Sequence, residues 1–172
     1  MKVEARVIYP VIRSLNSGLY VWASLVEESI LEISKLKCSV VKPELFEWEY
    51  STELHATIVY HPGELPAHPA IPPDQNMVGV VQNVLGWNDH KGKQIVVAQL
   101  YSPDLVRIHN EFRAQGFVHS FPEYVPHITL GKFVEPVSLF EFRIFVQRLN
   151  DILYRYPIRI NFQPKLFGDS LC

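Results

Sequence analysis

The sequence has little of what disulfide, metal or membrane chemistry needs. Only two cysteines, Cys38 and Cys172, occur among its 172 residues, and they lack the short spacing of a zinc site. We therefore expect reduced thiols and no structural zinc. No apolar run approaches the roughly 18 residues of a membrane-spanning helix. The N-terminal segment has no convincing signal-peptide core, so we expect a cytoplasmic protein without a membrane partner.

Charge of one sign is also not in excess. The chain has 16 Lys and Arg residues and 18 Asp and Glu residues, a formal net charge of -2, and no block of five like charges. A protein that holds long nucleic acid through many phosphates usually has a basic excess. The composition therefore favours a small nucleotide over long nucleic acid as the ligand. With 48% apolar residues, we expect a single domain over residues 1–172.

Threonine is scarce too, and its placement is the most informative feature of the sequence. Two of the three threonines follow a histidine by two positions, in His55-x-Thr57 and His127-x-Thr129, each within a strand-like run. Residues two apart on a strand project from the same face. Each histidine and its threonine should therefore point to one side of a sheet, and two such strands would frame a phosphate.

Hydrophobic periodicity divides the chain into two halves that align as βαββ and βα(β)αβ, with the two motifs at equivalent places. The predicted elements of the first half are strand 18–25, helix 26–37, the first motif strand and strand 77–85. Those of the second half are strand 94–101, helix 103–114, the second motif strand, a helix capped by Ser138 and strand 157–162. We predict an α+β domain of two pseudo-symmetric βαββ-type halves, with the motif strands central and the helices outside. Residues 61–76, with five prolines, form a connector or a lid.

Two histidines arranged in this way suit the cleavage of a phosphodiester. One neutral imidazole removes a proton from the attacking hydroxyl or water, and one protonated imidazole gives a proton to the leaving oxygen. Threonine hydroxyls can donate hydrogen bonds to the non-bridging phosphate oxygens. This chemistry requires no metal or other cofactor, and we expect none. The alternative interpretation is that both are buried strand histidines, with threonines present for β propensity.

These motifs resemble those of the two-histidine (2H) phosphoesterase superfamily, whose members carry one His-x-Thr/Ser motif in each lobe of a bilobal α+β fold. The resemblance covers nearly the whole chain and implies a central cleft between the lobes. It also implies that His55 and His127 are the acid/base pair and that Thr57 and Thr129 bind phosphate. The sequence leaves open which histidine is the base.

Within the superfamily, the bacterial RNA-ligase-like and 2',3'-cyclic phosphodiesterase members tend to read His-x-Thr-Leu-Arg-Phe at the first motif, whereas this chain reads LHATIVYH. The runs SGLYVWASL, LHATIVYH and SPDLVRIHNEF are more similar to the bacteriophage anti-CBASS nucleases. That resemblance implies metal-independent cleavage of cyclic di- and trinucleotide immune signals. The alternatives are hydrolysis of 2',3'-cyclic phosphates and a binding protein that sequesters a cyclic nucleotide. The oligomeric state stays open.

Three aromatic residues are candidate substrate contacts. By the same resemblance, Tyr20 and Trp87 lie where the phage nucleases place aromatic residues against bases, and such stacking contributes about 1 to 3 kcal/mol per base. We expect Trp87 in a polar turn after Gly86. Tyr20 is alternatively a core aromatic. Tyr124, shortly before His127, either rims the cleft or packs in the core.

Other polar residues are assigned less specific places. Strict strand alternation puts Lys132 on the face opposite His127 and Thr129, so we do not include it in the site. The five remaining histidines are expected on the surface or in loops: His61, His68, His90, His109 and His119.

Overall fold

The computed structural model describes residues 18–89, 91–119 and 123–170. In that part of the chain, three α-helices pack on one curled antiparallel sheet, which confirms the α+β class. The elements in chain order are β1 (Leu19–Ser24), α1 (Glu27–Cys38), β2 (Phe46–Trp48), β3 (His55–His61), β4 (Val78–Asn88), β5 (Gln94–Tyr101), α2 (Pro103–Ala114), β6 (His127–Phe133), α3 (Leu139–Arg155), β7 (Arg159–Asn161) and β8 (Phe167–Ser170).

The two motif strands lie side by side at the centre of the sheet, as predicted. The strand order is β7-β4-β5-β6-β3-β1-β8, with β2 added beside β6. The direct pairing of β3 with β6 is confined to Ala56 and Ile128. Further along, β6 pairs with β2 from Phe46 to Trp48 instead. The two central strands therefore separate beyond Thr129 of β6, and a cleft opens between them at that end.

The last strand of each half of the chain pairs with the first strand of the other half. Strand β4, which ends the first half, pairs with β5 over most of its length. Strand β8, which ends the second half, pairs with β1 from Trp22 to Leu19. The two pseudo-symmetric halves therefore exchange end strands within the one sheet, and each half depends on the other to cover a strand edge.

Helix α2 begins and ends where its sequence predicts. The Ser102 hydroxyl accepts a hydrogen bond from the Leu105 amide at 3.3 Å, and Pro103 occupies the first turn. Gly116, with φ +93°, follows the helix in the left-handed region that favours glycine. The apolar face, which includes Leu105 and Phe112, is fully buried. This face places α2 behind β3.

Helix α3 packs closely against β4 and is hydrogen-bonded to it. The Ser138 hydroxyl accepts from the Glu141 amide at 3.2 Å, as the predicted cap requires. Asn150 accepts from the Val84 amide at 2.7 Å. A Cβ atom on Gly86 would lie 2.6 Å from the Phe142 ring, so only glycine allows this approach. No helix in the described ranges is both long and apolar enough to cross a membrane.

Three strands differ from the prediction. Strand β4 continues to Asn88, three residues beyond the predicted end. Strands β2 and β8 were not predicted, because three or four residues carry too little periodicity to identify them.

Candidate active site

The two motif strands share an irregularity directly after each threonine. The pairing of β3 with β1 shifts after Thr57, and the pairing of β6 with β5 shifts after Thr129. Ile58 and Leu130 are the extra residues of these two β-bulges. A bulge reverses the alternation of faces beyond it. Both strands therefore present the histidine and the threonine on one face. Beyond the bulge, the residues that share this face are those that strict alternation would put on the other face.

The four motif side chains lie on the cleft face of the two central strands. His55, Thr57, His127 and Thr129 are each half-buried. The residues between them, which point to the other face, are fully buried. This pattern agrees with the predicted alternation and brings the two motifs to one site.

His55 has both ring nitrogens in hydrogen bonds. Its Nδ1 lies 2.6 Å from the carbonyl oxygen of Glu53, which can only accept, so Nδ1 carries the proton. In the neutral ring, Nε2 then accepts from the Tyr20 hydroxyl at 2.6 Å. The Tyr20 oxygen in turn accepts from the Thr57 hydroxyl at 3.1 Å. One chain of hydrogen bonds therefore fixes the tautomer of His55 and joins it to its own threonine.

His127 is oriented in the same way but lies in a different environment. Its Nδ1 donates to the Val125 carbonyl at 2.7 Å, again two residues before the histidine. The Trp87 ring lies 4.6 Å from the imidazole at an angle of 65°. Burial lowers the pKa of His127 below its ordinary value, and the charge of His55 lowers it further. His55 is therefore close enough for its charge to affect the protonation of His127.

The three predicted substrate contacts have different surroundings. Tyr20 lies in the cleft against His55 rather than in the core. Trp87 also lies beside a catalytic candidate, but the expected turn is wrong: Trp87 is within β4, paired with Ile95. The Tyr124 hydroxyl donates to the Thr57 carbonyl at 2.9 Å, and its ring stacks on His109 at 4.0 Å. Their contact with substrate stays a prediction.

The predicted side of Lys132 is wrong. The bulge at Leu130 shifts the alternation, so Lys132 is half-buried on the same side of β6 as Thr129. Its charge acts on Glu49, whose pKa is nevertheless raised by burial and by a hydrogen bond with Glu53. Lys132 is therefore a candidate cation for the site that strict strand alternation excludes. Only knowledge of the bulge would have identified it, and a bulge leaves no signal in the alternation of residue types.

An open pocket of about 420 Å³ lies where the motif strands separate. It reaches from His55 on β3 to Thr129 on β6, so both motifs contribute to one cavity. Tyr20 and Trp22 form an aromatic wall, and Glu49 lies among the lining residues. Cavities of roughly 300 to 1,000 Å³ are typical of small-ligand sites. In the described part of the chain, no three His, Cys, Asp or Glu side chains are grouped to hold a metal ion.

The expectation that the other histidines are on the surface or in loops is wrong for two of them. His109 is buried on α2, where its Nδ1 donates to the Ile58 carbonyl at 2.7 Å. His61 is buried at the end of β3 and accepts from the Val118 amide at 2.9 Å. His119 accepts from the Tyr60 amide at 3.3 Å. His68 is exposed, and His90 lies outside the described residues.

The proline-rich segment 61–76 is attached to α2. The Ala70 amide donates to the Gln115 side chain at 2.7 Å, and the Gln115 amide returns a hydrogen bond to the Ala70 carbonyl at 3.0 Å. Pro66 packs near Gly116. These contacts favour the connector over the lid.

Comparison with known proteins agrees with this geometry. Residues 17–150 match the family described as anti-CBASS protein Acb1. The anti-CBASS protein Acb1 of Vibrio phage KVP40 is 30% identical over 121 residues, which cover 67% of this chain and 73% of that protein. These matches confirm the resemblance drawn from the two motifs, and with it the expectation of a phosphodiesterase.

Solved structures share the fold at low sequence identity. Escherichia coli LigT complexed with 3'-AMP has a TM-score of 0.54 at 15% identity, covering 92% of this chain and 97% of that one. TT0787 of Thermus thermophilus has a TM-score of 0.54 at 13% identity, covering 88% of this chain and 83% of that one. With two equivalent His-x-Thr strands at the centre of this fold and a family match over most of its length, the chain belongs to the anti-CBASS protein Acb1 family.

Proposed function

We propose that this protein hydrolyses 3'-5' phosphodiester bonds of cyclic di- or trinucleotides by acid/base catalysis between His55 and His127. The observation that carries the proposal is the matched orientation of the two imidazoles. Each Nδ1 is held by the carbonyl two residues earlier, at 2.6 and 2.7 Å, so that each Nε2 is the nitrogen for proton transfer.

The reaction on this site is an in-line displacement at phosphorus. One neutral Nε2 takes the proton from the attacking oxygen, of a water or of a ribose 2'-hydroxyl, as the new P–O bond forms. The other, protonated Nε2 gives its proton to the ribose oxygen whose P–O bond breaks. The two imidazoles exchange protonation states in each turnover, and solvent restores them.

The threonines supply the electrostatic part of the reaction. Thr57 and Thr129 lie one strand repeat beyond the histidines on the same face, and their short side chains leave little freedom for the hydroxyls. Hydroxyl donors at this position stabilise negative charge on the non-bridging oxygens as the transition state forms. The hydrogen bond from Thr57 to the Tyr20 oxygen holds its hydroxyl in the cleft before substrate arrives.

A small cyclic nucleotide suits the site better than a long strand. The pocket is about 420 Å³ and the chain has no basic excess. Relatives in the family carry the name anti-CBASS protein, so the substrate we propose is a cyclic oligonucleotide immune signal in the cytoplasm of an infected host. Cleavage would remove the signal before it reaches the defence effector.

The test is chromatography of cyclic di- and trinucleotides incubated with the protein in EDTA. We expect linear products from the wild type and none from His127→Ala, with an unchanged melting temperature for the variant. A 2',3'-cyclic nucleotide is the matched control substrate, because LigT, which shares the fold, has been solved with 3'-AMP. Turnover of that control alone would contradict the proposal. Tight binding with unchanged ligand recovered would point to a sequestering protein instead.

A further inference from the structure

The pocket beside His55 has a polar end that the acid/base chemistry does not use. The loop between β2 and β3 brings Glu49 and Glu53 to this end, and both are among the lining residues. The aromatic wall of Tyr20 and Trp22 forms another side of the same pocket. Their rings lie 5.0 Å apart at an interplanar angle of 30°, and Trp22 also stacks on Phe167 at 6.2 Å. An aromatic wall that ends in fixed polar groups is the usual form of a nucleobase site.

Two carboxyl groups therefore lie at the same end of the pocket. Burial raises the pKa of Glu49, and a hydrogen bond with Glu53 raises it further. An ionised carboxylate has only acceptor oxygens, and a protonated carboxyl group keeps an oxygen that accepts. The polar end of the pocket therefore matches a ligand edge that donates hydrogen bonds.

The same pair is connected to catalysis through the backbone. The Glu53 carbonyl accepts from His55 Nδ1 at 2.6 Å. Lys37 donates to the Glu49 carbonyl at 2.7 Å, which holds the other end of the segment. The backbone of both glutamates is therefore held beside His55, so a base bound by their carboxyl groups would lie close to the imidazole.

We propose, on the basis of the proposed function, that this pocket binds one base of the cyclic substrate and selects bases with an exocyclic amino group. The base packs against Tyr20 and Trp22, and its amino group donates to the oxygens of Glu49 and Glu53. Adenine, cytosine and guanine carry such a donor. Uracil presents carbonyl oxygens on both sides of its single ring N–H, and these oxygens face the carboxyl oxygens unfavourably.

Cytosine and uracil provide the sharpest test, because they have the same size and differ at the amino edge. We would measure kcat/KM for cyclic di-CMP and cyclic di-UMP with the wild type, Glu49→Gln and Glu53→Gln. We expect the wild type to prefer cyclic di-CMP by about tenfold. Glutamine offers both an amide donor and an acceptor, so either variant should bring the ratio toward one. Glu135→Gln, in an exposed turn outside the pocket lining, is the matched control and should keep the wild-type ratio.

The outcomes separate this inference from the proposed function. Cleavage of both substrates with equal efficiency by the wild type would overturn the base assignment and leave the phosphodiesterase in place. A wild-type preference that Glu49→Gln and Glu53→Gln both retain would also overturn it. If Glu49→Gln unfolds, Trp22→Phe provides the second test. We expect a raised KM for cyclic di-CMP in this variant. An unchanged KM would contradict the packing of the base against Trp22. No turnover of any cyclic nucleotide would overturn the proposed function, and the base assignment with it.

Discussion

The two motif strands present the same residues beside the same irregularity, but their histidines have different neighbours. In β3 and β6 alike, Nδ1 donates to the carbonyl two residues earlier and a bulge follows the threonine. His55, however, has a hydroxyl group at Nε2, whereas His127 has the Trp87 ring beside it. The backbone of both motif strands therefore fixes the orientation that each imidazole needs for proton transfer. Side chains from other strands then give the two imidazoles different surroundings.

The largest expected effect tests what the two strands share. Replacing either His55 or His127 with alanine should lower kcat by about a thousandfold, because each supplies one proton transfer. The double variant should lose little more than a single one, since the two groups act as a unit. Single-turnover rates with a cyclic dinucleotide measure this. Strictly multiplicative losses would contradict the acid/base partnership.

The next effect tests what the strands do not share. Tyr20→Phe keeps the ring but removes the hydroxyl at His55 Nε2 and Thr57, so kcat should fall about tenfold through loss of positioning. KM should change little, since the aromatic wall remains. The control is Tyr154→Phe, which removes a hydroxyl from an exposed position on α3. A raised KM with unchanged kcat would show that Tyr20 contacts substrate only.

A third prediction concerns Lys132, which the second bulge places on the same side of β6 as Thr129. Lys132→Gln should raise KM about fivefold with a smaller effect on kcat, because a cation near the site attracts the anionic substrate in both ground and transition states. Steady-state kinetics at two salt concentrations measures this. Lys35→Gln, on the exposed face of α1, is the matched control. Equal KM values in both variants would remove Lys132 from the site.

The protonation of His127 gives a fourth prediction. Burial and the charge of His55 both lower its pKa, so its imidazole should titrate below 6.5 in NMR spectra. In His55→Ala the pKa of His127 should rise, because the repelling charge is gone. Because one imidazole must be neutral and the other protonated, the rate should be bell-shaped in pH, with one limb below 6.5. An unchanged pKa of His127 in the variant would show that the imidazoles do not interact.

The smallest effect concerns stability beside β3. Burial, with the charges of His109 and His127, lowers the pKa of His119 from 6.5 to about 4. Between these values the unfolded chain binds a proton that the folded protein does not, so stability should fall as pH falls from 6.5 to 4. Denaturant unfolding at about pH 7 and about pH 5 measures the loss, which should be smaller in His119→Gln. An equal loss in both proteins would contradict this assignment.

Much of the fold could be predicted because local signals determined it. Ser102 and Ser138 mark the starts of α2 and α3 through their hydroxyls, and the two motifs mark the central strands. Strand alternation correctly put each histidine and threonine on one face. These are contacts between residues close in the sequence, which residue type alone indicates.

The remainder depends on contacts between distant residues. Lys132 changes face because of a bulge in the pairing with β5, which no residue of β6 announces. His109 is buried because α2 packs on β3, where the Ile58 carbonyl accepts its proton. Glu49 joins the site because the strands separate and a loop fills the edge of the gap. None of these three follows from the composition of the segment in which it lies.

The exchange of end strands between the two halves has a consequence for synthesis. Strand β1 carries Tyr20 and Trp22, but its outer edge pairs with β8, which the ribosome makes last among the described elements. The first half is therefore synthesised with one side of its aromatic wall uncovered, and that edge is paired only when residues 167–170 are available. In the order of synthesis, both His-x-Thr motifs therefore precede the strand that covers this edge of β1. The aromatic wall of the pocket is for this reason complete only when the two halves of the chain have come together.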